Sequence, residues 1–300
     1  MTRIVVAADG RPAKGLGHLA RCTALAAALR EAGAPPALLA LGAPEPLVVD
    51  GERWTPADSP EGEGAAVLVL DTYDAATDVP AGPALVVFSD RDEPRPGAAL
   101  AVRTAGRERP GRLYGLRYAC LRRPYWDAAP GGREHPDAVG RVLVTTGGTD
   151  PGGVGARVAS ELAAALPSAR IGLVRGAAAP PVAVPGVETV RGSLDLSEEL
   201  AAADLVVSGA GQTAMEAAAL GRPCVAVVLV DNQRAQAAAL ADAGAAVVVE
   251  PGEAVSATVS LAAERAERAA LGARAAATID GQGARRVAER VVELAGRRAT

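Results

Sequence analysis

His18, one of two histidines in the chain, lies in a glycine-rich segment immediately before a predicted helix. Gly15 and Gly17 flank this position, and residues without a side chain let another molecule approach closely. An imidazole at a helix N-terminus is kept neutral by the helix dipole. A neutral imidazole can remove a proton from water or a hydroxyl group. We therefore predict that His18 is a general base; a histidine that caps its helix or packs in the core is the alternative.

The same segment, GLGHLA at residues 15–20, also fits the G-x-G-x-x-A fingerprint of dinucleotide-binding proteins. That fingerprint turns tightly out of its strand, whereas residues 10–14 separate Asp9 from Gly15. The next predicted strand, 36–42, does not end in an acid that would bind a ribose. A nicotinamide-dependent oxidoreductase is therefore the less favoured function.

A second glycine turn, SGAGQT at 208–213, also leads into a predicted helix. Backbone N–H groups at a helix start bind anions, so this turn is predicted to hold a diphosphate. Glu216, one turn further on, would oppose a phosphate but can accept hydrogen bonds from two ribose hydroxyls. Asn232 and Gln233 follow the next strand and are predicted to face the same cleft. The predicted nucleotide-sugar contacts here are Ser208, Gly209, Ala210, Gly211, Gln212, Thr213, Glu216 and Gln233.

These turns require strands that end at a common edge. Short apolar runs without alternation predict buried strands in the first half of the chain. Asp71 and Asp90 each end such a run, and the carboxyl ends of parallel strands commonly carry function. The predicted elements are strands at 3–9, 36–42, 66–71 and 84–90, and a helix at 18–33.

The pattern restarts after a polar, Pro/Gly-rich linker at 127–138. Alternating strands and helices predict parallel sheets and an α/β fold of two doubly wound, Rossmann-like domains that face a cleft. The predicted strands are 140–148, 169–176, 187–192, 204–211, 223–230 and 245–250, and the helices are 152–166, 197–203, 212–220, 232–243 and 283–298. The predicted domains are 1–136 for acceptor binding and catalysis, 137–280 for nucleotide-sugar binding, and a helix at 281–300 that packs back toward the first domain.

Composition excludes several function classes. A hydrophobic content of 49% over 300 residues supports large cores, and a net charge of −4 argues against a general nucleic-acid binder. Cys22, Cys120 and Cys224 are far apart, so neither a disulfide framework nor a zinc site is expected. The apolar run near the N-terminus is too short for a signal peptide, and no stretch is long enough to span a bilayer. We expect a cytoplasmic protein.

Two further patterns were weighed as binding sites. Asp90-Arg91-Asp92 matches a D-x-D metal motif of a fold with one nucleotide-binding domain, and the two predicted domains favour a loop without metal. Residues 103–126 interleave arginines with tyrosines and a tryptophan. We interpret them as a solvated loop, with binding of an anionic sugar or a flat acceptor as the alternative.

The ordered set of motifs resembles the GT-B superfamily. It resembles more closely the UDP-sugar hydrolase of the pseudaminic acid pathway and its relatives, the spore-coat polysaccharide glycosyltransferases. The matching segments are GLGHLARCTALA (15–26), LDTYD (70–74), FSDRDEP (88–94), YGLRYACLRRPYW (114–126), TTGGTDP (145–151), SGAGQTAMEAAALGRPC (208–224), DNQ (231–233) and DGQGARRVAERV (280–291).

The resemblance implies a metal-independent glycosyltransferase that uses a UDP-sugar donor and a small polar acceptor, with no further cofactor. His18 would be the base at the anomeric centre, with Tyr73 and Asn232 lining it and Glu216 binding the ribose. Arg21 would either orient His18 or bind an anion; an arginine exposed on its helix without a role in the site is the alternative. Gly17 would lie beside the donor, and Gly147 and Gly148 would form another glycine turn at the cleft.

The chain departs from the hydrolase pattern at two places. The hydrolase has D-H-Y-G where this chain has Asp71-Thr72-Tyr73-Asp74, and an asparagine-bearing stretch where this chain has AVRTAGRERPGRL at 101–113. We expect these positions to lie near the sugar. They favour a transferase, and hydrolysis of a UDP-sugar to UDP and free sugar remains the alternative.

Overall fold

The computed structural model describes residues 3–299 except 12–16, 61, 63, 75, 91–94, 128–134, 148–149, 177–182 and 193–194. The chain forms two compact units. The first comprises Met1–Trp126 together with Gly281–Thr300, and the second comprises Asp127–Asp280. The first unit therefore ends ahead of the predicted boundary at 136, and it includes the final segment that the sequence analysis treated separately.

The first unit is built on one eight-stranded sheet. Its elements in chain order are β1 (Ile4–Asp9), α1 (Gly17–Glu31), β2 (Ala37–Leu41), β3 (Leu47–Val49), β4 (Glu52–Ala57), β5 (Val67–Asp71), β6 (Ala84–Phe88), β7 (Ala98–Arg103) and β8 (Arg112–Tyr114). The strand order is β3-β4-β2-β1-β5-β6-β7-β8, and among the described strands only the β3–β4 pairing is antiparallel.

The four strands predicted in this unit are confirmed, with ends that differ by one or two residues. β1, β5 and β6 are buried along their whole length, as expected of strands covered on both faces. The strand order reverses between β1 and β5, since the chain continues from β1 toward β2 and returns on the other side. Ligands of doubly wound sheets bind outside the carboxyl ends of the strands at this reversal.

The arginine-rich segment 103–126 is not the solvated loop that we interpreted from sequence. Its aromatic side chains are buried, and guanidinium groups cover their rings, for example Arg117 at 5.4 Å from the Tyr118 ring and Arg123 at 5.7 Å from the Trp126 ring. The interpretation failed because arginine packs its stem on apolar surface while its charged end stays solvated. The segment contributes β8 and part of the core.

The second unit contains a six-stranded sheet. Its elements are β9 (Arg141–Thr145), α2 (Val154–Ala165), β10 (Arg170–Arg175), β11 (Val187–Arg191), α3 (Ser197–Ala202), β12 (Leu205–Gly209), α4 (Gln212–Ala219), β13 (Cys224–Val227), α5 (Arg234–Asp242), β14 (Val247–Val249), α6 (Ala254–Ala263) and α7 (Arg265–Thr278). The strand order is β11-β10-β9-β12-β13-β14, with parallel pairing throughout the described strands.

This order is that of a doubly wound dinucleotide-type sheet, and it reverses between β9 and β12. Thr145 pairs with Ser208 at the carboxyl edge, so the turns that follow the two strands are neighbours. The strands predicted for this half are confirmed as elements. Helices α6 and α7 were not predicted from sequence; Thr258, Leu261, Leu271 and Ala275 of these helices are buried.

A last helix, α8 (Gly283–Ala299), returns to the first unit and packs on α1. Its buried positions repeat every three or four residues, as expected for a helix with one apolar face. They are Ala284, Val287, Ala288, Val291 and Ala295. Within the described residues, no helix combines the length and apolar character needed to cross a bilayer.

Candidate active site

His18 and an acid from the sheet form a buried pair. His18 is the second residue of α1, with 3% of its surface exposed. Its Nδ1 lies 2.6 Å from Oδ1 of Asp71, the last residue of β5, which is fully buried. Because β1 and β5 are adjacent, the helix that follows β1 meets the carboxyl end of β5 at the edge of the sheet.

The charge state of Asp71 determines where the imidazole carries its proton. Burial alone raises the pKa of the Asp71 carboxyl, but the charges of Arg21 and His18 and their hydrogen bonds outweigh burial and hold this pKa well below its usual range. Asp71 is therefore a carboxylate that only accepts hydrogen bonds. In the neutral ring, Nδ1 donates to Asp71 and Nε2 keeps a lone pair, the tautomer required of a base.

Arg21 binds the other side of Asp71. Its Nε donates to Oδ2 at 2.5 Å, and one terminal nitrogen donates to Oδ1 at 2.6 Å. The other terminal nitrogen donates to Asp90 at 3.3 Å. Burial lowers the pKa of the Arg21 guanidinium, but the two carboxylates more than compensate, so this pKa lies well above its ordinary value. Arg21 is thus permanently charged and bound to two acids.

Tyr73 covers the His18 ring from the loop after β5. The two rings meet edge to face, with centroids 4.4 Å apart and an interplanar angle of 75°. The Tyr73 hydroxyl donates to Asp90 Oδ2 at 2.6 Å. Burial and the Asp90 charge raise the pKa of the Tyr73 phenol, which therefore stays protonated at neutral pH. Tyr73 is 36% exposed and is the accessible member of this group.

Sequence reasoning found His18, Tyr73 and Arg21 but did not pair them with Asp71 and Asp90. The signal was present, because both acids end predicted strands at the edge of the sheet where His18 was expected. What was missing was the strand order, which brings β5 next to β1.

In the second unit, the turn between β12 and α4 forms a second candidate site. A Cβ on Gly209 would lie 2.9 Å from Leu229 Cδ1 and 3.4 Å from Gln233 Nε2, so a larger residue does not fit here without displacing them. Helix α4 begins at Gln212 with Gly211 as its N-cap, and its first turn carries no acidic side chain. Its terminal N–H groups and helix dipole are suited to an anion.

Two glutamines make hydrogen bonds at this turn or at the loop after β13. Gln233 Oε1 accepts a hydrogen bond from the Leu229 amide at 2.9 Å. Gln236, on α5, donates from Nε2 to the Ala210 carbonyl at 2.9 Å. Gln236 was not predicted from sequence, although its spacing of three residues from Gln233 places both on one helical face. Asn232 is exposed beside them.

The remaining predicted donor contacts lie in or near α4. Glu216 is within the helix and only 4% exposed, and Ser208 is fully buried with its hydroxyl donating to the Gly209 carbonyl at 3.0 Å. Gln212 and Thr213 are half-buried at the helix start. Their roles as donor contacts stay predictions.

The turn between β9 and α2 has a different character. Gly147 has a φ of 86°, and Gly148 lies outside the described residues. Asp150 Oδ1 accepts hydrogen bonds from the Thr146 hydroxyl at 2.7 Å and from the Gly155 amide at 2.8 Å. The chain's own carboxylate thus occupies the start of α2, where it would repel a phosphate.

Comparison with known proteins agrees with this architecture. Residues 185–291 match the glycosyltransferase family 28 C-terminal domain. No match was found among curated protein sequences.

Solved glycosyltransferase structures resemble nearly the whole chain. MurG of Acinetobacter baumannii has 16% identity and a TM-score of 0.60, with 97% of this chain and 99% of MurG covered. The glycosyltransferase SnogD from Streptomyces nogalater has 17% identity and a TM-score of 0.65, with coverages of 99% and 100%. SsfS6 of Streptomyces sp. SF2575, complexed with thymidine diphosphate, has 18% identity and a TM-score of 0.62, with coverages of 98% and 99%.

These likenesses confirm the predicted fold class. They show no specific kinship with the pseudaminic-acid hydrolase or the spore-coat enzymes, so that finer resemblance stays a prediction. The chain has the GT-B fold of glycosyltransferases, and its residues 185–291 match the C-terminal domain of family 28.

Proposed function

We propose that this protein transfers a sugar from a nucleoside diphosphate sugar, with a UDP-sugar as the first candidate, to a small polar acceptor. His18 is the general base, and the α4 turn binds the diphosphate. The first unit supplies the base, and the second binds the donor.

The observation that carries the proposal is the His18–Asp71 pair. A buried carboxylate 2.6 Å from Nδ1 fixes the ring tautomer and stabilises the imidazolium formed when Nε2 takes a proton. Nε2 removes the proton of the acceptor hydroxyl as the hydroxyl oxygen bonds to the anomeric carbon. The bond from that carbon to the diphosphate oxygen breaks, and the diphosphate departs with its electron pair.

The donor site rests on the contrast between the two glycine turns of the second unit. Asp150 occupies the start of α2, whereas the first turn of α4 carries no acid, which favours α4 for the diphosphate. The thymidine diphosphate held by the structurally similar SsfS6 supports a nucleoside diphosphate ligand. We assign Tyr73 and Asn232 to the reaction centre and Glu216 to the ribose as part of the same proposal, without an obligatory metal.

The test combines binding and turnover. Calorimetry with UDP and with thymidine diphosphate measures donor-site affinity, and product analysis with sugar-nucleotide and acceptor panels measures transfer. We expect His18→Ala to lower kcat at least about 100-fold while diphosphate affinity stays within twofold. His135→Ala changes the other histidine in the chain and is the matched control.

Near-wild-type turnover in His18→Ala would refute the assignment of the base. Fast release of diphosphate and free sugar without acceptor would identify a hydrolase instead. Binding of NAD(H) without binding of either diphosphate would identify an oxidoreductase.

A further inference from the structure

Five side chains contact one another in a closed ring, which we call the circuit: His18, Asp71, Arg21, Asp90 and Tyr73. His18 contacts Asp71, Arg21 forks onto both oxygens of Asp71 and reaches Asp90, and Asp90 accepts the Tyr73 hydroxyl. The Tyr73 ring then returns to the His18 ring at 4.4 Å. Two of the five, Arg21 and Asp90, have no role in the proposed reaction itself.

Arg21 adds a positive charge to the electrostatic surroundings of the His18 ring. A terminal nitrogen of Arg21 lies 3.4 Å from His18 Nδ1; both atoms carry protons, so this contact brings a positive charge next to the ring without a hydrogen bond. Asp71 alone would strongly favour the imidazolium. The guanidinium acts in the opposite direction, because it brings a positive charge to 3.4 Å from the nitrogen that Asp71 contacts at 2.6 Å.

Among the residues that the structure describes, few other charged groups face His18. Asp9, at the end of β1, interacts electrostatically with it, but Arg11 neutralises Asp9 through two side-chain hydrogen bonds. Tyr73 is neutral at the working pH. Asp90 is linked to His18 indirectly, because it accepts hydrogen bonds from Tyr73 and Arg21. The Asp71–Arg21 pair is therefore the principal charge balance at the ring among the described residues.

We propose that Arg21 and Asp90 are positioning residues for His18: Arg21 holds Asp71 in place and sets a positive charge beside the imidazole that opposes its protonation, and Asp90 anchors both Arg21 and Tyr73. This inference rests on the proposed function only in calling His18 the base. It opposes the alternative that Arg21 binds a substrate anion, since each of its three guanidinium nitrogens already donates to a carboxylate.

Kinetic measurements distinguish the effect of the Arg21 charge from the effect of its forked hydrogen bonds. Arg21→Gln removes the charge, so the acid limb of the kcat/KM profile moves to higher pH. Arg21→Lys keeps the charge but loses the fork, so kcat falls about tenfold while the acid limb stays in place. Asp90→Asn removes a negative charge, so the acid limb moves to lower pH. In all three, KM for the donor stays within twofold.

Two substitutions provide matched controls. Arg30 lies on the same helix and pairs with Glu52 at 2.8 Å, away from the circuit. Arg30→Gln and Glu52→Gln therefore remove an arginine–carboxylate pair without touching His18, and both keep the wild-type pH profile.

Nuclear magnetic resonance tests the inference without turnover. Only two histidines give ring signals, and His135→Ala assigns them. In Arg21→Gln the titration midpoint of the His18 ring lies about one pH unit above that of the wild type. An unchanged midpoint in Arg21→Gln, or a donor KM raised tenfold in Arg21→Lys, would overturn the inference. Shifted midpoints in a protein that turns over no sugar nucleotide would uphold it and refute the proposed function.

Discussion

Asp71 is the residue on which the geometry of the candidate base depends. It is fully buried, yet it is ionised because His18 and Arg21 donate to both of its oxygens. A buried carboxylate with such partners is costly to disturb, since removal of one member leaves the other charge without compensation.

We expect Asp71→Asn to lower the free energy of unfolding at pH 7 by about 3 kcal/mol, because Arg21 then loses the nearer of its two carboxylate partners. The folded-state pKa of Asp71 lies below its unfolded value, so its ionisation stabilises the protein above about pH 4 and this contribution is lost as the pH falls further. As the pH is lowered, the free energy of unfolding therefore falls less steeply in the variant than in the wild type. Denaturant unfolding at pH 7 and in stepwise acid measures both effects, and equal stability of variant and wild type at pH 7 would contradict them.

At the scale of single residues, the sequence identified side chains that could take part in catalysis but not the side chains to which they bond. The residue type of His18 and its glycine neighbours predicted a role in chemistry, whereas Arg21 could orient His18, bind an anion or lie exposed on its helix. The choice between them depends on a carboxylate fifty residues away in the chain. Such contacts have no local sequence signature.

At the scale of elements, two similar glycine turns differ in use. Both follow a strand of the second sheet and precede a helix, and the sequence predicts a diphosphate only at the turn before α4. In the structure, the Asp150 carboxylate accepts hydrogen bonds at the first turn, whereas Gln236 of α5 donates a hydrogen bond to the Ala210 carbonyl of the second. A pre-organised turn binds its ligand without a cost of ordering.

We expect Gln236→Ala to weaken UDP binding about fivefold to tenfold, because the Ala210 carbonyl loses its partner and the turn loosens. The melting temperature should change little. Arg234→Gln, at an exposed neighbour on the same helix, is the control and should bind as the wild type does. Isothermal calorimetry measures both, and unchanged affinity in Gln236→Ala would show that this hydrogen bond does not matter for binding.

At the scale of the whole molecule, the chain leaves its first unit at Trp126 and rejoins it at Gly281. Where the chain returns, the backbone at Gly283 lies very close to the backbone at Ala119. A Cβ on Gly283 would lie 2.1 Å from the Ala119 carbonyl oxygen, and Arg285 pairs with Glu31 at 2.9 Å while covering the Trp126 ring at 4.7 Å. These contacts give a structural reason for the glycines in the DGQG segment.

We expect Gly283→Ala to reduce stability by about 3 kcal/mol, since the added methyl group meets backbone atoms that cannot turn away. Gly296→Ala, in the same helix with open space around it, should instead stabilise by about 0.5 kcal/mol through helix propensity. Thermal unfolding of the two variants distinguishes the steric effect at Gly283 from the helix-propensity effect at Gly296. Similar melting temperatures for the two variants would contradict the close approach.

The sequence by itself determined the alternation of strands and helices, the two α/β halves, and the glycine turns with His18 at one of them, because these features follow from local patterns of apolar residues and turn residues. It misplaced the arginine-rich segment and omitted α6 and α7. Only the tertiary structure decided which acids reach His18, which glycine turn is free of its own carboxylate, and that the last helix packs on α1. Those choices depend on strand order and on contacts between residues distant in the chain, which local periodicity does not encode.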